Sequence, residues 1–194
     1  MKRLVLCFDG TWNTEKSNTN VSRLFRKIAG SSNECSEQRQ FYDEGVGTGW
    51  GERIRGGMLG MGLDRNIRQG FAWLAAQFHE TDPKPGGDKG FLTGPDIYLF
   101  GFSRGAFTAR SLGGLINYLG LPNLGLDISQ DTAATSTEHP LVQEAWNLYA
   151  ARPSKNDRED KSKERLIAAH DQAVSEFRAR HYFPVRIHFL GVWD

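Results

Sequence analysis

The sequence predicts an α/β protein, a mostly parallel sheet with helices on both faces, and three observations predict it. Short apolar runs, Arg3 to Phe8 (RLVLCF), Asp96 to Phe100 (DIYLF) and the closing PVRIHFLGVWD, alternate with longer segments whose apolar residues recur at helical spacing. The runs are apolar on both sides of the pleat, as strands are when helices cover both faces. At 194 residues the chain holds one domain, 1–194, with a sizeable core and little room for a second.

RLVLCF is ended by DGTWNT, so the first strand stops at a turn. TNVSRLFRKIAG then sets Val21, Leu24, Phe25 and Ile28 on one helical face, with Asn20 as N-cap and Gly30 as stop. RQFYDEG reads as a second, shorter strand. The glycine-rich stretch from Gly45 to Gly62 (GVGTGWGERIRGGMLGMG), with Trp50, Met58, Leu59, Met61 and Leu63, reads as an apolar lid or as a loop packed in the core. Its Arg53 and Arg55 suit a phosphate-bearing substrate or plain solvation.

Ile67, Phe71, Leu74 and Phe78 mark a helix from Asp64 to Glu80, and DPKPGGDKGFLTGP breaks it before DIYLF. The next helix runs to about Tyr118, with Phe107, Leu112, Leu115 and Ile116 as its apolar positions. Leu141 to Ala150 is a further helix and RPSKNDREDKSKER a solvated break. A longer helix follows to about Arg180, with Leu166, His170, Ala173, Val174 and Phe177 as its buried stripe. The closing strand carries Asp194 at its end.

Composition excludes several function classes. Lys+Arg 24 against Asp+Glu 23 leaves a net charge of +1, so no global field recruits nucleic acid. Cys7 and Cys35 have neither metal-site nor disulfide-framework spacing, and fit a reducing compartment. Asp9 interrupts MKRLVLCFDG too early for a signal-peptide core, and no run approaches a membrane span. A cytoplasmic, soluble protein as synthesised is expected.

The chemistry concentrates in Gly101-Phe102-Ser103-Arg104-Gly105, a GxSxG sequence between a predicted strand and a predicted helix. Such a turn strains the backbone of its central residue, so the residues two before and two after it must be small. Gly101 and Gly105 meet that need, and Ala106 and Ala109 let the helix approach the sheet. Ser103 in this context is a candidate nucleophile of an α/β-hydrolase, against the plainer alternative of a serine that caps a helix. The Arg104 N–H, at the helix start, is one candidate oxyanion donor, and the Gly10 or Thr11 N–H after the first strand is the second.

In this architecture the triad order is Ser, then Asp or Glu, then His. Asp194, at a strand end, is the candidate acid. No residue follows it, so the base is expected outside the chain and the domain looks truncated at its C-terminus. His79, His139, His170, His181 and His188 carry no signal of being that base. Asp9 reads as the cap of an Asx-type turn, or as a contact for a cation or solvent. FDGT also suggests haloacid-dehalogenase-like phosphatases, but Cys7 stands where their nucleophilic aspartate belongs.

Taken together, FDGTWN (Phe8 to Asn13), TNV (Thr19 to Val21), GVGTG (Gly45 to Gly49), GFSRGAFTAR and the closing FLGVWD resemble the DUF2235 family, which includes the Tle1-like phospholipase effectors of bacterial type VI secretion. The resemblance implies an α/β-hydrolase fold, a Ser-Asp-His triad with Ser103 and Asp194, and hydrolysis of phospholipid esters at a membrane surface. It implies no cofactor and no metal. For the effectors it implies export through the secretion apparatus and an immunity protein as partner. The missing base leaves the rival expectation of a catalytically silent fragment or binding module.

Overall fold

The computed structural model describes residues 3–30, 38–44, 58–77, 95–124, 137–181, 183 and 185–194. Four strands, β1 (Arg3–Phe8), β2 (Gln38–Asp43), β3 (Asp96–Phe102) and β4 (Arg186–Trp193), form one parallel sheet in the order β2-β1-β3-β4. The chain lays β2 on one side of β1 and returns to lay β3 on the other. At such a reversal the connections leave the carboxyl ends of neighbouring strands in opposite directions and open a crevice between them.

Two apolar layers flank the sheet. The alternation in β1 sends Val5 and Cys7 toward helix α1 (Asn20–Gly30), where Val21, Phe25 and Ile28 meet them. Leu4, Leu6 and Phe8 point the other way, with Ile97 and Leu99 of β3. They pack on Phe71 and Leu74 of α2 (Met58–Ala75) and on Leu112 and Leu115 of α3 (Arg104–Leu119). Helix α4 (Pro140–Ala150) adds Val142 and Ala145, and α6 (Glu164–His181) adds Val174 and Phe177. The short α5 (Lys155–Glu159) and the 3-10 turn Lys161–Lys163 lie in the solvated break and bury nothing. The α/β class and the parallel sheet are as the sequence predicts.

Several details depart from expectation. Thr19, not Asn20, caps α1: its Oγ1 accepts the Ser22 N–H at 2.9 Å, and Asn20 is already helical. Helix α2 starts at Met58, six residues before the predicted Asp64. Each interior glycine costs a helix only about 1 kcal/mol, so Gly60 and Gly62 do not break it. The Met58 to Leu63 part of the expected lid is therefore helical, while Trp50, Arg53, Arg55, Phe78 and His79 lie outside the described residues.

Two expected core positions face water, Phe107 at 50% and Leu166 at 72% exposure. On α3 the face against the sheet is taken by Gly105, Ala106, Ala109 and Gly113, which leaves Phe107 outward. On α6 only Val174 and Phe177 are buried, so the helix meets the core along its second half. Coverage of both faces fails at β4, where Phe189, Leu190 and Val192 are exposed, and among the described residues its outer edge pairs with nothing. Among the described residues no helix is long and apolar enough to cross a membrane.

Candidate active site

Ser103 joins β3 to α3 with φ 54° and ψ −118°, a conformation that costs an L residue about 1–3 kcal/mol. Among the described residues only Trp12 shares a positive φ without being glycine. The Ser103 side chain makes no capping hydrogen bond, so the helix-cap alternative does not account for it. Its carbonyl accepts the Ala106 N–H at 3.0 Å, and its own N–H donates to the Trp193 carbonyl of β4 at 2.8 Å. The hydroxyl is left exposed at the carboxyl edge of the sheet.

The two flanking glycines are there because backbone occupies the space of a side chain. A Cβ on Gly101 would stand 2.3 Å from the Gly105 carbonyl oxygen, and one on Gly105 would stand 2.1 Å from the Phe8 carbonyl oxygen and 2.7 Å from that of Asp9. The second contact has a functional consequence. It seats the start of α3 against the end of β1, so the loop after β1 lies beside Ser103. Gly10 extends the same contact, since its Cβ would meet Phe102 Cδ1 at 2.9 Å.

That loop is organised by Asp9, which is only 3% exposed. Its Oδ1 accepts the Gly10 N–H at 2.8 Å, and its Oδ2 accepts the hydroxyls of Thr19 and Tyr42, each at 2.7 Å. Burial, then the hydrogen bond to Asp9, push the Tyr42 hydroxyl well above its usual range, so it stays a donor. Asp9 is thus a turn cap that also ties the start of α1 and the end of β2 to the loop. The partners described for it are neutral donors. Beyond it, the Asn13 N–H closes a turn onto the Gly10 carbonyl at 3.0 Å, with Trp12 at φ 66°.

The two candidate loop donors differ. The Gly10 N–H is already spent on Asp9, whereas the Thr11 N–H has no acceptor among the described residues. The Arg104 N–H opens α3 and so has no intrahelical acceptor. At the end of β2, burial raises the Asp43 carboxyl to about 7, against the lowering effect of Arg65 and with a further push from Glu44. Cys7 is buried, and burial with the nearby Asp9 pushes its thiol up to about 12, which removes it as a phosphatase-like nucleophile.

Asp194 stands level with Ser103, because Phe102 and Trp193 are register partners and each is followed by its candidate. It is exposed, and no hydrogen bond links it to Ser103 or to a histidine among the described residues. The described histidines are engaged elsewhere. His139 accepts the Leu141 N–H and caps α4, His170 Nε2 lies 3.0 Å from the Tyr118 hydroxyl, and His181 packs on Phe177. His188 is the extra residue of a bulge and stands 3.5 Å from Asp96, at the opposite end of the sheet from Ser103. No cluster that could hold a metal ion occurs among the described residues.

Sequence reasoning missed Tyr42 and Thr19 as the donors to Asp9, and it missed the conformation of Trp12. The first two come from elements far apart in the chain, and the third carries a residue that turn chemistry does not suggest.

An uncharacterised protein of Saccharomyces cerevisiae is 28% identical over 213 aligned positions, which cover 100% of this chain and 26% of the yeast protein. The chain therefore spans about a quarter of the length of that curated relative. No solved structure matches it at a significant level. Residues 2–194 match the family described as type VI secretion system phospholipase effector Tle1-like, catalytic domain. The chain belongs to this Tle1-like catalytic-domain family.

Proposed function

We propose that the chain carries the nucleophile of a serine esterase that hydrolyses phospholipid esters. The observation that supports it most is Ser103 itself, an uncapped, exposed serine held at φ 54° where the sheet order reverses. Its Oγ attacks the ester carbonyl carbon while its proton passes to a histidine from outside the described residues. The charge that develops on the carbonyl oxygen is met by the N–H groups of Arg104 and Thr11, the two candidate donors without a described acceptor. Asp194 orients the histidine, which then protonates the departing alcohol. Water, activated by the same histidine, releases the acyl group from Ser103 and restores the hydroxyl.

The family's description supports phospholipid as substrate and export by a type VI apparatus; an immunity protein as partner is part of the same proposal. The test is labelling of the full-length protein with a fluorophosphonate probe. Labelling of the wild type and its loss in Ser103→Ala are expected; equal labelling of both would sink the proposal. Vigorous Ser103-dependent hydrolysis by residues 1–194 alone would remove the rival reading of a silent fragment.

A further inference from the structure

Trp12 sits where its residue type and its chemistry are both disfavoured. It is the third residue of the turn closed by Asn13 on Gly10, at φ 66°, a position that favours glycine or asparagine. The residue is 63% exposed, and no ring contact or hydrogen bond of its side chain is found among the described residues. The fold gains little from this side chain, yet the turn that carries it is firmly mounted. Asp9 fixes the turn from behind, and Gly10 lies against Phe102, the neighbour of Ser103. A large, exposed apolar residue is thus carried on the loop whose root packs on the neighbour of the nucleophile.

Charge is uneven along the same loop and helix, although the exposed carboxylates of Glu44 and Asp194 stand at the same edge of the sheet. Between residues 11 and 28 the exposed charges are Lys16, Arg23, Arg26 and Lys27 against Glu15 alone, in a chain whose net charge is only +1. The Arg26 guanidinium donates to the carbonyls of Glu15 and Ser17, which fixes one cation on the loop itself. An exposed tryptophan on a loop followed in sequence by cations suits the interface of an anionic bilayer, with the ring at headgroup depth and the cations near phosphates. An acidic protein surface would satisfy the cations but offers the indole no apolar depth to enter.

We propose that the β1–α1 loop docks the protein on anionic phospholipid bilayers by inserting Trp12 at the lipid–water interface. The consequence, that docking brings Ser103 to the esters of surface lipids, rests on the esterase reading; the docking itself does not.

The experiment is flotation of the full-length protein with vesicles of equimolar phosphatidylglycerol and phosphatidylcholine, in a Ser103→Ala background that leaves the lipid intact. Trp12→Ala and Trp12→Gly are expected to lower partitioning about ten-fold, and added salt to lower what remains. Leu166→Ala, an equally exposed apolar residue on α6, is expected to change nothing. Trp12→Gly suits the backbone at φ 66° and is expected to melt no lower than its parent, so lost binding is not lost folding. With Ser103 restored, Trp12→Gly is expected to lose a far larger fraction of its activity on vesicles than of its activity on a water-soluble short-chain ester, and equal losses on the two substrates overturn the docking role. Partitioning equal to that of the parent, or absent from the parent, overturns the docking proposal. Trp12-dependent partitioning without Ser103-dependent hydrolysis of any ester leaves docking standing and overturns the esterase.

Discussion

Gly105 and Gly113 lie two turns apart on the same buried face of α3, and alanine should act on them with opposite signs. Both substitutions gain the helix propensity of alanine over glycine, about 1 kcal/mol. At Gly113 the new methyl would stand 3.5 Å from Ile187 Cδ1 and 3.8 Å from Leu99 Cδ1, which is ordinary contact. It buries apolar surface without displacing anything, so Gly113→Ala is expected to stabilise by about 1–1.5 kcal/mol. At Gly105 the methyl would stand 2.1 Å from the Phe8 carbonyl oxygen and 2.5 Å from its carbon, with the Asp9 oxygen at 2.7 Å. Contacts under about 3 Å must open, and those atoms belong to the backbone of a buried strand that cannot swing aside as a side chain does. The overlap should outweigh the propensity gain, for a net loss of about 3 kcal/mol. At about 2–4 °C per kcal/mol, thermal denaturation should place Gly113→Ala a few degrees above the wild type and Gly105→Ala about 6–12 °C below it. Ester hydrolysis should survive in the first and fall in the second, because separating α3 from β1 moves Ser103 away from the Thr11 N–H. Gly105→Ala melting within about 1 °C of the wild type would refute the packing of α3 on β1, and with it the placement of the proposed oxyanion loop.

Two further predictions follow from the carboxylates at the sheet edge. Asp43 has a folded pKa of about 7 against 3.8 unfolded, so between those values the folded state holds a proton that the unfolded state has released. Its contribution to stability is fully present below the unfolded value and is lost as pH rises through about 7. Asp43→Asn should therefore melt above the wild type at pH 8 and lose that advantage near pH 4, a swing on the order of 2–4 kcal/mol in urea titrations; a swing of the opposite sign would contradict the burial of this carboxyl. Tyr42→Phe takes a hydroxyl donor from Asp9 at a cost of about 1.5–3 kcal/mol. It should lower kcat on a soluble ester with little change in KM, and an unchanged kcat in the destabilised variant would make Asp9 a purely structural residue.

What was legible in the sequence was what local spacing encodes. Arg3–Phe8 reads as a buried strand because every residue from Leu4 to Phe8 is apolar, and the GxSxG context identifies its turn because two glycines at fixed offsets answer a steric need. Phe107 and Leu166 show the limit of periodicity, which tells which residues share a helix face but not whether another element covers that face. Thr19 and Tyr42 were hidden because their bonds to Asp9 span 10 and 33 residues, and nothing local marks either hydroxyl for that carboxylate. Trp12 was hidden for the opposite reason: the local rule for its turn asks for glycine or asparagine, and the residue present breaks it.

The two broken backbone rules, at Trp12 and Ser103, are structurally one feature. Gly105 rests on the carbonyls of Phe8 and Asp9, so the strained turn after β3 and the strained turn after β1 share a backbone contact. Hydrogen bonds already made at the sheet edge bear on the proposed oxyanion donors. The Ser103 N–H is drawn to the Trp193 carbonyl and the Gly10 N–H to Asp9, so each of the nearest amides is already committed. The amides one residue further along, those of Arg104 and Thr11, remain. The proposed site thus uses the backbone groups that the sheet edge has left over, and in that proposal the exposed carboxylate of Asp194, level with Ser103 on β4, marks the side from which the histidine approaches.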